Sequence, residues 1–273
     1  MMKYLLFLSI SIWLFSCKSS NEIIADWGET LIIGHKAASK TKQGETLAEN
    51  SLEAVKYAYK NLDGIEVDIR ASKDSTLWLI HDENINYNGK SLLFSSLSDK
   101  EIKNINYQTK GSIITLKQLF SFLAIQKDKK FVSLDMKVIN NQFWLQEHDK
   151  WIDFITDSLS YFYKYYKPNS IIAVESWDIN FLKTIEEKES NIETYLMIWN
   201  LLKENDILYA KKNNIDGLSC NIKDGLKKEI VNFAKSKNIK IQTWTINNAA
   251  VSQQILKCNP TTMQVDNTNY FIK

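Results

Sequence analysis

Proline and glycine are scarce in this chain: two and eight residues among 273. That scarcity excludes a collagen-like, linker-rich or disordered polypeptide. Excess charge is missing as well. The formal net charge is +2, so bulk electrostatics give no reason to expect a nucleic-acid partner. Cysteine is nearly absent: beyond Cys17, only Cys220 and Cys258 remain. Neither has zinc-ligand spacing. They could pair in an oxidising compartment, but two isolated thiols read more simply as small buried hydrophobes. Long apolar runs are also lacking, since the run from Tyr4 to Phe15 is too short to span a bilayer comfortably. What is present is an ordinary globular composition, 44% hydrophobic and 24% charged, in a chain long enough for one large domain or two small ones.

The N-terminus reads as an export signal. Lys3 precedes the short apolar run, and Ser16 is a small residue before Cys17. Leu14-Phe15-Ser16-Cys17 resembles a bacterial lipoprotein box, which implies cleavage before Cys17, lipidation of its thiol and membrane anchoring. A polar stretch, Lys18–Asn21, follows. The expected organisation is therefore a signal peptide over 1–16, a lipidated tether over 17–29 and a globular domain over 30–273, in an exported lipoprotein held in the periplasm or at the cell surface.

Beyond the tether, short apolar runs alternate with longer amphipathic stretches. Strand-like runs cover Leu31–Gly34, Gly64–Ile69, Leu77–Ile80, Phe131–Met136, Ile171–Val174, Thr194–Ile198, Ile215–Leu218, Lys240–Thr245 and Met263–Asp266. Helix-like stretches cover Asn50–Asn61, Leu116–Ile125, Gln142–Tyr166, Ile179–Glu189, Lys203–Asn213, Gly225–Lys237 and Ala249–Cys258. This alternation predicts parallel strands joined by helical crossovers, and the economical closure is a TIM (β/α)8 barrel. Nine runs exceed eight strands, so one run must lie outside the ring; an open doubly wound sheet is the alternative. Asn50 and Glu53 have capping-box spacing at the first helix. Residues 84–111 break the rhythm and read as a small insertion after the third strand, over the barrel mouth.

The chemistry lies in three runs. In Gly64-Ile65-Glu66-Val67-Asp68-Ile69, Glu66 and Asp68 share one strand face and the aliphatic residues share the other. In a barrel the aliphatic face meets the helices, so the two carboxylates point inward. Like charges buried side by side call for a cation, and oxygen ligands suit Mg²⁺ or Ca²⁺. Phe131–Lys137 repeats the pattern, with Asp135 as a third candidate metal ligand and Lys137 as a candidate phosphate-binding cation. Of three histidines, His35 and His81 end the first and third runs, where barrel enzymes keep their active sites, and could divide acid and base roles. His148 falls within a long amphipathic helix and reads as solvated.

These residues resemble the glycerophosphodiester phosphodiesterases. The resemblance rests on Gly34-His35-Lys36, Glu49-Asn50-Ser51, Ile65-Glu66-Val67-Asp68, Lys73-Asp74 and His81-Asp82, with weaker matches at Leu134-Asp135-Met136-Lys137, Glu175-Ser176-Trp177 and Trp244-Thr245-Ile246-Asn247. It implies a TIM barrel with a small insertion after the third strand, and hydrolysis of a small-molecule glycerophosphodiester to glycerol phosphate and an alcohol. It also implies His35 and His81 as the acid–base pair, Glu66, Asp68 and Asp135 as metal ligands, and Lys36, Lys137 and Trp244 at the phosphate or substrate. Asp135 stands where the family usually has Glu, and Lys36 where it usually has Arg; lysine keeps the charge without the bidentate fork. Two alternatives remain on the sequence. Asp135 with Lys137 resembles the spider-venom phospholipase D group, lyases that stop at a cyclic phosphate. A non-catalytic lipoprotein binding phosphorylated ligands is the other.

Overall fold

The computed structural model of the protein describes residues 24, 27–38, 40, 41, 43–87, 89–104, 113–137 and 148–271. The signal peptide, Cys17 and the tether apart from residues 24 and 27–29 lie outside the described residues, as does the expected start of the long helix at 142–147. No helix among the described residues is long and apolar enough to cross a membrane.

The strands are β1 (Leu31–Gly34), β2 (Gly64–Ala71), β3 (Leu77–Leu79), β4 (Asn84–Tyr87), β5 (Lys90–Leu93), β6 (Phe131–Met136), β7 (Ile171–Ser176), β8 (Glu193–Ile198), β9 (Gly217–Asn221), β10 (Lys240–Ile246) and β11 (Thr262–Val265). The helices are α1 (Leu52–Asn61), α2 (Asp99–Lys103), α3 (Leu116–Ala124), α4 (His148–Tyr166), α5 (Ile179–Lys188), α6 (Glu204–Lys212), α7 (Lys228–Ser236) and α8 (Ala249–Leu256). Neighbouring strands run β1-β11-β10-β9-β8-β7-β6-β2, and β1 pairs in parallel with both β11 and β2. Eight parallel strands therefore close into a ring, which settles the choice between barrel and open sheet.

The surplus strand is β3. It pairs antiparallel with the end of β2, Ile69 opposite Leu79 and Ala71 opposite Leu77. The expectation that His81 ends a barrel strand is thus corrected: the chain turns at Ser72–Thr76 and runs back down. The inserted segment builds the β4–β5 hairpin and α2, and packs onto β3 through an apolar cluster of Trp78, Ile80, Phe94, Leu97 and Ile102. Asp99 ties the turn to the insertion, accepting from Ser72 Oγ at 2.7 Å, Thr76 Oγ1 at 2.6 Å and Trp78 Nε1 at 3.0 Å. The first helix also starts differently. Ser51 is its cap, accepting from the Ala54 N–H at 3.2 Å, which frees the Asn50 side chain for the barrel interior.

Strand alternation sorts the side chains. Val132, Leu134, Met136, Ile65, Val67 and Ile69 face the helices in the main core. The inward face begins with an apolar floor of Ile33, Phe131, Ala173 and Tyr195. Above it lies a buried polar layer: Ser133 Oγ and Gln264 Nε2 donate to Glu175 Oε1 at 3.0 and 2.9 Å, Ser219 Oγ donates to Glu175 Oε2, and Gln242 Nε2 donates to both serine hydroxyls. Both remaining cysteines are buried and unpaired, as two small hydrophobes would be.

Close strand approach demands glycine at two points on this floor. A Cβ at Gly64 would sit 1.8 Å from the Phe131 carbonyl oxygen, and one at Gly217 would sit 2.4 Å from the Tyr195 ring. Gly64→Ala must push β2 and β6 away from each other, because backbone cannot rotate aside. We expect it to destabilise the fold by about 3 kcal/mol or more in urea denaturation. Unchanged stability would mean β2 and β6 are less tightly apposed than described.

Candidate active site at the barrel mouth

Glu66, Asp68 and Asp135 are 2%, 1% and 7% exposed, and one oxygen from each lies within 4.8 Å of the others. β2 and β6 bring them together in register, with Glu66 opposite Ser133 and Asp68 opposite Asp135. Each carboxylate has its own support. Glu66 Oε2 accepts the Lys36 backbone N–H at 2.7 Å. That N–H is aimed inward by a turn in which Lys36, Ala37 and Ala38 all have positive φ. Asn50 clasps Asp68 from both sides: its Nδ2 donates to Asp68 Oδ2 at 2.9 Å, and its Oδ1 accepts the Asp68 backbone N–H at 3.0 Å. Lys137 Nζ bridges Asp135 and Asp68, at 3.0 Å from Asp68 Oδ1.

Electrostatics follow from this crowding. Burial raises the Glu66 carboxyl well above its usual range, and the neighbouring Asp68, Glu175 and Asp135 raise it further. Burial pushes Asp135 up as well; Lys137 opposes it, but Asp68 and Glu175 add to the rise, and the net value is about 7. Asp68 also suffers burial, yet Lys137, His81 and the Asn50 hydrogen bond outweigh it and hold Asp68 below the usual value. Burial lowers Lys137, but Asp68 and Asp135 more than compensate, so it stays cationic. Three convergent carboxyls, two of them raised chiefly by burial and further by one another's charge, fit a hard divalent cation.

The two histidines flank this cluster. His35 Nδ1 lies 2.6 Å from Asp266 Oδ1, and its Nε2 lies 3.9 Å from Glu66 Oε2. His81 Nδ1 lies 2.8 Å from Asp82 Oδ1. An aspartate on Nδ1 favours the tautomer whose Nε2 can exchange protons with a ligand. Antiparallel β3 does what a barrel strand end would have done: the Ile80 N–H donates to the Asp68 carbonyl at 2.9 Å, and Arg70 Nε donates to the His81 carbonyl at 2.8 Å. Lys36 Nζ reaches over the rim to Glu49 at 3.1 Å. All eight residues expected at the catalytic, metal and substrate positions (His35, Lys36, Glu66, Asp68, His81, Asp135, Lys137 and Trp244) line one cleft.

His148 is not simply solvated. It opens α4, and its Nε2 meets Asp178 Oδ2 at 2.8 Å, away from the cleft. Asp178 also caps α5, so a longer-range partner, and not solvent alone, faces this helical histidine. Several residues that the structure places here carry no site role in the sequence reading. Asn50 passes as a helix cap, and Glu175 needed only the alternation argument applied to β7. Arg70 is the chain's only arginine, a bias that itself marks the position. Trp199 carries no motif and is recognised only in space, with its ring centroid 4.8 Å from that of Trp244.

A closed barrel that gathers carboxylates, histidines and lysines where its strands end is built like a phosphoric ester hydrolase. The comparisons with known proteins make the class specific. The chain belongs to the glycerophosphoryl diester phosphodiesterase family, whose model matches residues 35–269, and it is a phosphoric diester hydrolase of that family. A glycerophosphodiester phosphodiesterase of Bacillus altitudinis is 24% identical over 208 residues, covering 73% of this chain and 81% of that one. Among solved structures, the Thermotoga maritima glycerophosphodiester phosphodiesterase has a TM-score of 0.65 at 22% identity, over 89% of this chain and 96% of that one. An Oleispira antarctica phosphodiesterase, solved with the product sn-glycerol-3-phosphate, has a TM-score of 0.69 at 15% identity, over 86% and 92%.

The raised carboxyls make metal binding a proton-linked event. Below pH 7, a divalent cation must displace the proton on Asp135. Titration calorimetry with Mg²⁺ in buffers of different ionisation enthalpy should show more proton release at pH 6 than at pH 8, as the Asp135 share disappears, with affinity falling as pH drops. Proton release that does not change between those pH values would contradict the assignment.

Proposed function

We propose that this protein is a metal-dependent phosphodiesterase that hydrolyses glycerophosphodiesters to glycerol phosphate and an alcohol. The observation that carries the reading is the buried carboxylate triad set between two aspartate-supported histidines. The product bound to the Oleispira relative supports the substrate class.

Glu66, Asp68 and Asp135 would hold Mg²⁺ or Ca²⁺, which when bound supplies Lewis-acid polarisation of a phosphoryl oxygen. Lys36 and Lys137 hold the phosphate and offset the charge that develops on it. One histidine takes the proton of the attacking hydroxyl through Nε2, and the other delivers a proton to the departing alkoxide. With a neighbouring glycerol hydroxyl as attacker, a new P–O bond closes a cyclic phosphate as the bond to the alcohol breaks. Water then opens the ring, with the histidines exchanging roles. Trp244 lies beside the phosphate pocket, where it can bound the glycerol moiety.

His35→Asn and His81→Asn should each lower kcat by about 10² to 10⁴ on glycerophosphodiesters while leaving the melting temperature within a few degrees of wild type. Phosphorus NMR of the products separates the outcomes. Glycerol phosphate as the end product supports hydrolysis, and accumulation of the cyclic phosphate shows a lyase. Binding without turnover, unaffected by either substitution, shows a non-catalytic phospho-ligand-binding protein.

We propose further that 1–16 is a signal peptide, that Cys17 carries the lipid, and that 17–29 tethers the 30–273 barrel to a membrane, with 84–111 as its insertion. Lys3, the short apolar run and the small residue before Cys17 support this. Cys17→Ser should abolish fatty-acid labelling and move the protein out of the membrane fraction. Labelling that persists would overturn the lipid anchor.

A further inference from the structure

The cleft has a second arm. Beside the phosphate pocket the cleft continues into a recess reached by Arg70 and Trp177, and the two share His81, Asp135, Lys137, Met197 and Trp199. Trp177 follows β7 and Trp199 follows β8, which are adjacent strands. Their ring centroids are 5.8 Å apart, and Trp199 meets Trp244 edge-on at 4.8 Å. The three indoles form one continuous wall from the phosphate pocket into the recess. Trp199 is nonetheless 50% exposed. Other exposed apolar side chains, such as Tyr161 and Tyr165, sit on an outer helix; Trp199 alone of these lies against the cleft, among the described residues.

A phosphodiester bound between His35 and His81 projects two ester arms. We propose that the arm on the His81 side, the alcohol, enters this recess, and that Trp199 with Trp177 selects an uncharged aromatic or bulky apolar alcohol there. The proposal rests on the phosphodiesterase reading above. Indole faces and a thioether bury flat apolar groups well. Aromatic walls also bind quaternary ammonium groups, but the recess is lined by Arg70 and Lys137 against one carboxylate, Asp135, which Lys137 already engages, so the Arg70 guanidinium is left to repel a cation. The structure therefore assigns a neutral occupant, not a choline-type one.

The test compares kcat/KM for the ethyl, 2-phenylethyl and choline esters of glycerophosphate. The first two have leaving alcohols of similar acidity, so their ratio reads the subsite. Wild type should favour the phenylethyl ester about tenfold over the ethyl ester. Trp199→Ala should bring that ratio close to one, and Trp199→Phe should keep most of it. A wild-type ratio near one, a ratio unmoved by Trp199→Ala, or preference for the choline ester over both overturns the subsite. Turnover of none of the three esters by wild type overturns the phosphodiesterase reading, and the subsite with it.

Discussion

Everything at the mouth of this barrel depends on burying four carboxyl groups in one small volume. Glu66, Asp68, Asp135 and Glu175 project from adjacent strands into the interior, each no more than 7% exposed. Desolvation and mutual repulsion oppose all four being charged at once. The chain meets the difficulty in three ways. Glu175 is wrapped in hydroxyl and amide donors. Asp68 is clasped by Asn50 and faced by Lys137. Glu66 has one backbone N–H and Asp135 shares Lys137 with Asp68, so their burial is only partly offset, and they point to the place where a divalent cation would balance the remainder.

That constraint explains the scaffold around it. A closed parallel ring is required to put three strands' worth of carboxylates on one inward face, so Gly64 and Gly217 must allow close strand packing below. The turn after His35 is bent through three positive φ values, an uncommon conformation for non-glycine residues, and it delivers one backbone N–H to Glu66. The reversed strand β3 brings His81 to the level of Asp68 from outside the ring, and the insertion packs against that strand to hold it there.

Much of this was legible in the sequence, for physical reasons. Period-2 alternation around Glu66, Asp68 and Asp135 can be read without coordinates, because burying the aliphatic face leaves the carboxylates only the barrel interior. What escaped is what long-range pairing decides. Leu77–Ile80 reads as another strand, and nothing local tells parallel from antiparallel. Asn50 has the composition of a cap, but its partner Asp68 lies eighteen positions away. His148 falls on a helical stretch, and only the fold brings Asp178 to it. Trp199 belongs to no motif, and its meaning comes entirely from the neighbouring Trp177 and Trp244.

The central claim is that Glu66, Asp68 and Asp135 hold one divalent cation between the two histidines. Anomalous diffraction from crystals grown with Mn²⁺ tests it most directly. One strong peak in contact with oxygens of all three carboxylates is the expected result. A peak elsewhere, or none at saturating Mn²⁺ above pH 8, would contradict it.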